Sequence, residues 1–182
     1  MFGLIHKIKG KFAYLNRKMA LYKWMQQNDS DNITINEPCD YLELHKISDI
    51  DKMGFSFDFS EYKDRFSKGH VFCGLTDTNG CLMAYGWLNG SVEHYLGELN
   101  LNMIITKNSS MLYDFKTFEA FRGKGLYPYL LHRICARDDK SKLIYAFPEN
   151  KQSSKGILKA NFKFLGTISG FTKNKYTKMI KQ

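Results

Sequence analysis

Residues 113–127 read Tyr113-Asp114-Phe115-Lys116-Thr117-Phe118-Glu119-Ala120-Phe121-Arg122-Gly123-Lys124-Gly125-Leu126-Tyr127, and the fold turns on them. The apolar-rich run over 111–118 predicts a strand, Arg122 to Gly125 a tight loop, and 124–137 a helix. Glycine lets a backbone turn sharply and come close to a ligand. The first N–H groups of a helix have no intrahelical acceptor and lie at the positive end of its dipole. Such a unit can hold a phosphate on backbone amides, with Arg122 and Lys124 adding charge. Pro128 is compatible with the first turn, where an N–H would be unpaired anyway.

Outward from this unit the pattern is mixed α/β. Residues 41–47 alternate like a strand, Ser48 suits the N-cap of a short helix over 49–54, and 58–68 carry Phe59, Tyr62 and Phe66 on one helical face. Two apolar runs joined by Asp77-Thr78-Asn79-Gly80 form a hairpin signature. Downstream come a strand over 142–148, a helix over 152–162 and two short strands near 163–169 and 175–180. The expected fold is α/β (α+β): a mixed, mostly antiparallel central sheet flanked by helices.

Residues 2–27 predict an amphipathic helix, since Ile5, Ile8, Phe12, Leu15, Met19 and Tyr22 recur at steps of three or four. The expected organisation is therefore a basic helical extension over 1–28, a polar linker over 29–40 and a catalytic-type domain over 41–182. The net charge of +9 is uneven. Residues 1–28 hold six Lys/Arg and 151–182 hold eight, neither segment with any acid, while 29–150 are net acidic. Basic ends suit a phosphate-rich ligand or an anionic membrane surface. The apolar stripe of 1–28 has three candidate destinations: its own domain, a homodimer partner, or peripheral contact with the inner face of a membrane. No recognition module with interleaved aromatics accompanies the charge, which argues against nucleic acid. The four cysteines are dispersed, so neither a disulfide framework nor a metal site is expected, and the expected compartment is the cytoplasm.

Arg122-Gly123-Lys124-Gly125-Leu126 closely resembles the R/Q-x-x-G-x-G/A element with which the GNAT superfamily holds the pyrophosphate of acetyl-CoA. Phe115-Lys116-Thr117-Phe118 is similar to the preceding strand of that family, which pairs with the pantetheine arm. Asn150-x-x-Ser153, followed by Lys159-Ala160-Asn161-Phe162, resembles a second family block, and Ala84-Tyr85-Gly86-Trp87 matches its second and third strands. The resemblance covers about residues 41–180. It implies an N-acyltransferase that moves an acetyl group from acetyl-CoA to a primary amine, without metal, by direct attack in a ternary complex. Cofactor contacts are implied at Phe115, Lys116, Thr117, Phe118, Arg122, Gly123, Lys124, Gly125, Leu126, Tyr127, Asn150 and Ser153.

Three departures from the family pattern bear on the chemistry. Tyr127 replaces a small residue of the cradle, so its ring must lean away from the phosphates or lie over the cofactor. Asn161 replaces a glycine; Asn tolerates the left-handed region better than most residues. Ile157 stands where many members keep the tyrosine that protonates the leaving thiolate. An attacking amine needs a base. Asp114 and Glu98 are the candidates, with His94 a third, and a backbone N–H near Thr117 or Phe118 is the expected oxyanion donor. Among tyrosines that could supply the acid (Tyr113, Tyr127, Tyr129, Tyr145), Tyr127 lies nearest the cradle in sequence. Trp87 and Tyr113 are candidate acceptor contacts, within a set of aromatics that includes Phe55, Phe57, Phe59 and Tyr95. An amino sugar or nucleotide sugar is the favoured acceptor; a protein or acyl carrier protein substrate, and a non-catalytic CoA-binding module, are the alternatives.

Overall fold

The computed structural model describes residues 17–25, 33, 35, 37–55 and 62–169. Its centre is a seven-stranded sheet formed by β1 (Lys18–Trp24), β2 (Asp40–Leu44), β3 (Val71–Thr76), β4 (Leu82–Asn89), β7 (Ser109–Thr117), β8 (Ser141–Ala146) and β9 (Phe162–Ser169). The spatial order is β2-β3-β4-β7-β8-β1-β9, and β5 (Glu93–Leu96) and β6 (Leu101–Ile104) form a separate hairpin. Every pairing is antiparallel except that of β7 with β8. This is the mixed, mostly antiparallel sheet the sequence predicts.

Side-chain alternation divides the core between the two faces of the sheet, in three clusters. On one face Leu112 of β7 and Ile144 of β8 meet Leu130, Leu131 and Ile134 of α3 (Leu126–Cys135) and Ile157 of α4 (Lys151–Lys159). The short helices α1 (Ile47–Met53) and α2 (Lys63–Ser67) serve a second cluster, in which Ile50 and Phe66 pack with Tyr62, Phe72, Tyr85 and Trp87. A third cluster joins Met111 of β7 and Leu143 of β8, the residues adjoining Leu112 and Ile144, to Leu96, Leu101 and Met103 of the β5–β6 hairpin. Neighbouring residues of one strand thus feed opposite faces, as the pleat requires.

Two features of β7 shape everything near its end. Trp87 pairs with Tyr113 and Tyr85 with Lys116, so Asp114 and Phe115 together stand opposite Gly86. That is a β-bulge. Asp114 takes the left-handed conformation (φ 51°), and Gly86 has no side chain because the Phe115 ring fills the space: a Cβ there would lie 2.2 Å from it. Second, β7 and β8 pair only from Ser109–Ser141 to Leu112–Ile144, although β7 runs on to Thr117 and β8 to Ala146. Beyond Leu112 the two strands are no longer joined.

The helix expected over 2–27 is corrected where it can be seen: residues 18–24 are strand β1. Met19 and Leu21 enter one core while Ala20 and Tyr22 enter the other, and β1 pairs with β8 on one side and β9 on the other. A strand buried on both faces shows no polar alternation, so its apolar positions also fit a helical template. This part of the supposed 1–28 extension is an interior strand of the sheet. Residues 1–16 and 26–28, half of the 29–40 linker and the expected strand at 175–180 lie outside the described residues. Smaller corrections concern Ser48, which lies inside α1 while Lys46 holds the N-cap position, and the β5–β6 hairpin, which was not anticipated.

Overpacking at the bulge is testable. Gly86→Ala should destabilise the fold by about 1–3 kcal/mol, seen as a lower thermal midpoint. Adding Phe115→Ala should make the combined loss smaller than the sum of the two single losses; strict additivity would show that the ring does not set the glycine.

Candidate active site

The glycine loop is built as a cradle. Gly123 and Gly125 both have φ 78°, no atom lies within 4 Å of a Cβ built at Gly123, and Gly125 is the residue from which α3 starts. Arg122 N–H donates to Glu119 O, and Tyr129 N–H to Gly125 O. Between them the N–H groups of Gly123, Lys124, Gly125, Leu126 and Tyr127 find no acceptor among the described residues. Pro128 contributes none. Five donors at the positive end of a ten-residue helix fit a diphosphate. Arg122 and Lys124 flank them, though Lys124 Nζ also pairs with Glu37 at 2.9 Å and Arg122 Nε donates to Thr117 O at 3.3 Å.

Phe115, Lys116 and Thr117 form the end of β7, and Phe118 leads from it towards this loop. Phe118 N–H donates to Met83 O on β4 at 3.0 Å. Peptide groups alternate in direction along a strand, so Thr117, whose carbonyl meets Arg122, faces away from β4 into the space left by β8. Of the two expected oxyanion donors, Phe118 is therefore engaged elsewhere and Thr117 is available.

Tyr127 leans away from the loop. Its ring lies over Gly156 of α4, where a Cβ would approach it to 2.4 Å, and its hydroxyl is 3.3 Å from Ser153 Oγ. Burial raises its pKa to about 12. Asn150 caps α4, its Oδ1 accepting from Ser153 N–H at 3.0 Å. Asn150, Ser153 and Tyr127 thus tie the start of α4 to the start of α3. Asn161 adopts φ 64°, as its replacement of glycine requires, and its amide donates to Met25 O.

The base candidates converge on a cavity of about 960 Å³ lined by both ends of α2 and by β5, β6, β7 and β8, with Asp64, Glu93, Glu98 and Asp114 as its carboxylates. Asp114 Oδ2 is bound by Arg65 Nη1 at 2.5 Å, and that guanidinium lies over the rings of Tyr62, Trp87 and Tyr113. Glu98 also lines the cavity and forms no salt bridge among the described residues. Tyr113 and Tyr145, the first residues past the last β7–β8 pair, line the same wall. Sequence reasoning placed Tyr145 only among several tyrosines and missed His70 altogether, whose Nδ1 is 2.5 Å from Tyr113 Oη. Nothing in its local pattern marks it, because the partner is supplied by β7.

Trp87, a candidate acceptor contact, is fully buried among Phe66, Phe72 and Tyr62 and does not line the cavity. Phe55 packs with the same cluster, and Tyr129 packs on the α3 core and accepts from Arg133. Phe57 and Phe59 lie outside the described residues. Among the described residues no His, Cys, Asp or Glu cluster has the arrangement to hold a metal ion, and no helix is long and apolar enough to cross a membrane.

Burial, reinforced by Arg65 and Lys68, lowers His70 to about 4; burial, with smaller contributions from His70 and Arg65, does the same to His94. An unfolded histidine titrates near 6.5. As pH falls below about 6.5 the unfolded chain takes up these protons and the native one does not. The stability the two groups contribute is present above that pH and is lost on descending towards 4. The thermal midpoint should fall over this window, and His94→Gln should make the fall shallower; an unchanged slope would contradict the assignment.

No protein-family model matches the chain, and no curated sequence does. Solved structures do resemble it. One is a GNAT-family acetyltransferase from Colwellia psychrerythraea, 12% identical with a TM-score of 0.53, over 84% of this chain and 54% of that one. Another is a GNAT-family protein from Novosphingobium aromaticivorans DSM 12444, 14% identical with a TM-score of 0.51, over 83% and 61% respectively. The chain spans less than two thirds of either structure's length. At such identities the likeness speaks for architecture alone: the chain has the fold of the GNAT acetyltransferases.

Proposed function

We propose that the chain is an N-acyltransferase that moves an acetyl group from acetyl-CoA to the primary amine of a small molecule such as an amino sugar or nucleotide sugar. One observation carries this reading. The β7–β8 ladder stops at Leu112 and Ile144, with a cradle of amides that find no acceptor among the described residues at the far end of β7 and a polar cavity beside the point of separation. A donor held by its diphosphate on Gly123 to Tyr127 and by its amide arm along Phe115 to Phe118 would reach that point with its thioester.

The cavity suits a cationic acceptor. Its four carboxylates outnumber Arg65 and Lys68, and Arg65 is already paired with Asp114. Glu98 is the better-placed base for drawing a proton from the bound ammonium, because one oxygen of Asp114 is committed to Arg65. Attack of the neutral amine on the thioester carbonyl would place negative charge on its oxygen, within reach of an outward N–H such as that of Thr117. Tyr127, turned onto Ser153 and Gly156, serves this reading as a link between α3 and α4 better than as the acid.

The cradle is tested by Gly125→Val. Valine at φ 78° is strained by roughly 1–2 kcal/mol, and its side chain would occupy the approach to the amides. Calorimetric titration should show the Kd for CoA raised by about tenfold or more in a variant that keeps its circular dichroism; unchanged affinity would refute the assignment. For the base, Glu98→Ala should lower kcat at neutral pH by about 10², with a smaller loss for Asp114→Ala. Wild-type rates in both would place the base elsewhere.

A further inference from the structure

The fold leaves one chemical role without an owner, since Ile157 is fully buried and carries no proton to give. We infer that Tyr145 supplies the proton to the departing thiolate, and that His94, fixed by Asn89, orients its hydroxyl to do so. The inference rests on the reading of the chain as a CoA-dependent acyltransferase and adds to it a donor that neither the sequence motif nor the fold assigns.

The orientation follows from a chain of hydrogen bonds with only one consistent direction. Asn89 is 1% exposed, and its amide is fixed by two backbone groups: Oδ1 accepts from Ser91 N–H at 2.9 Å, and Nδ2 donates to Glu93 O at 2.8 Å. The remaining Nδ2 hydrogen points to His94 Nδ1 at 3.2 Å. That nitrogen must accept, so the proton of a neutral His94 is on Nε2. Nε2–H then donates to Tyr145 Oη at 3.3 Å. With its oxygen accepting from His94, the phenol directs its own hydrogen elsewhere, and the cavity is what it faces. His94 is thereby removed as a base: one ring nitrogen is occupied and the other is protonated.

Position supports the role as well. Tyr145 follows Ile144, the last β8 residue paired with β7, so it stands where the two strands separate. Adjacent strands are about 4.8 Å apart, which sets Tyr145 beside any thioester lodged in the gap. Glu98 and Asp114 face the same cavity. Burial, with help from the Glu98 charge, pushes the Tyr145 phenol above its ordinary value, so it is protonated at neutral pH. Burial holds His94 neutral there.

The step balances. The amine nitrogen bonds to the carbonyl carbon, the C–S bond breaks with its electron pair on sulfur, and sulfur takes the proton of Tyr145 Oη. The phenolate regains a proton from solvent through the cavity, and the base releases the amine's proton to solvent, so thioester and amine become thiol and amide.

The test needs no acceptor. CoA is bound to the wild-type protein, and the ionisation of its thiol is followed by thiolate ultraviolet absorbance as pH is raised, with binding measured separately by calorimetry. A donor aimed at sulfur stabilises the thiolate, so Tyr145→Phe should raise the bound thiol's pKa by about one unit, a tenfold effect. His94→Phe should move it the same way. His94→Gln, whose amide still donates to Tyr145, should restore the wild-type value. Nitrogen NMR of labelled histidine should show His94 neutral with the proton on Nε2. Absence of CoA binding would overturn the acyltransferase reading and this inference together. Intact binding with an unshifted thiol in Tyr145→Phe would overturn the role of Tyr145 alone, and equal effects of His94→Gln and His94→Phe, or a proton on Nδ1, would overturn that of His94.

Discussion

The bulge at Asp114 and Phe115 opposite Gly86 is the constraint on which the site depends. A regular β7 would continue its ladder, and the strand's end, the glycine loop and α3 would all be aimed differently. The extra residue bends the strand, the Phe115 ring seals the bend by lying where a side chain on Gly86 would be, and Asp114 turns out to meet Arg65. Past that point β7 keeps its bonds to β4, as Phe118 to Met83 shows, while its other edge pairs with no strand among the described residues. An unpaired strand edge is ordinarily a liability; here it lies between the amide cradle and the cavity.

Packing then holds the two sides of that gap in place independently. α3 and α4 lock to the sheet through Leu130, Ile134 and Ile157 and to each other through Tyr127 on Gly156. On the opposite face the β5–β6 hairpin fixes the cavity wall by burying Leu96, Leu101 and Met103 against Met111 and Leu143. The hairpin also brings His94 of β5 between Asn89, at the end of β4, and Tyr145. Buried hydrogen bonds such as these make the arrangement rigid and directional.

Local chemistry made the strand–loop–helix unit, the β3–β4 hairpin and the order of the later elements readable in the sequence, because glycine position, turn residues and period are short-range signals. Residues whose identity depends on distant partners were not readable. Lys18–Trp24 has the apolar spacing of a helix, and only its two neighbours, β8 and β9, make it a strand. Trp87 looks like a ligand-stacking ring until Phe66 and Phe72 are seen to enclose it. His70 and Tyr145 gain meaning from contacts with partners 43 and 51 positions away. Asp114 and Glu98 were legible as carboxylates on and before β7, but the Arg65 ion pair that distinguishes Asp114 from Glu98 comes from α2.

Hydrogen exchange with and without CoA reaches the central claim most directly, because the claim concerns particular backbone amides. The account predicts slowed exchange over 115–118 and 123–127 on adding CoA, strongest at the loop amides that find no acceptor among the described residues. Unchanged exchange there under conditions where CoA is bound, or protection confined to another part of the surface, would contradict it.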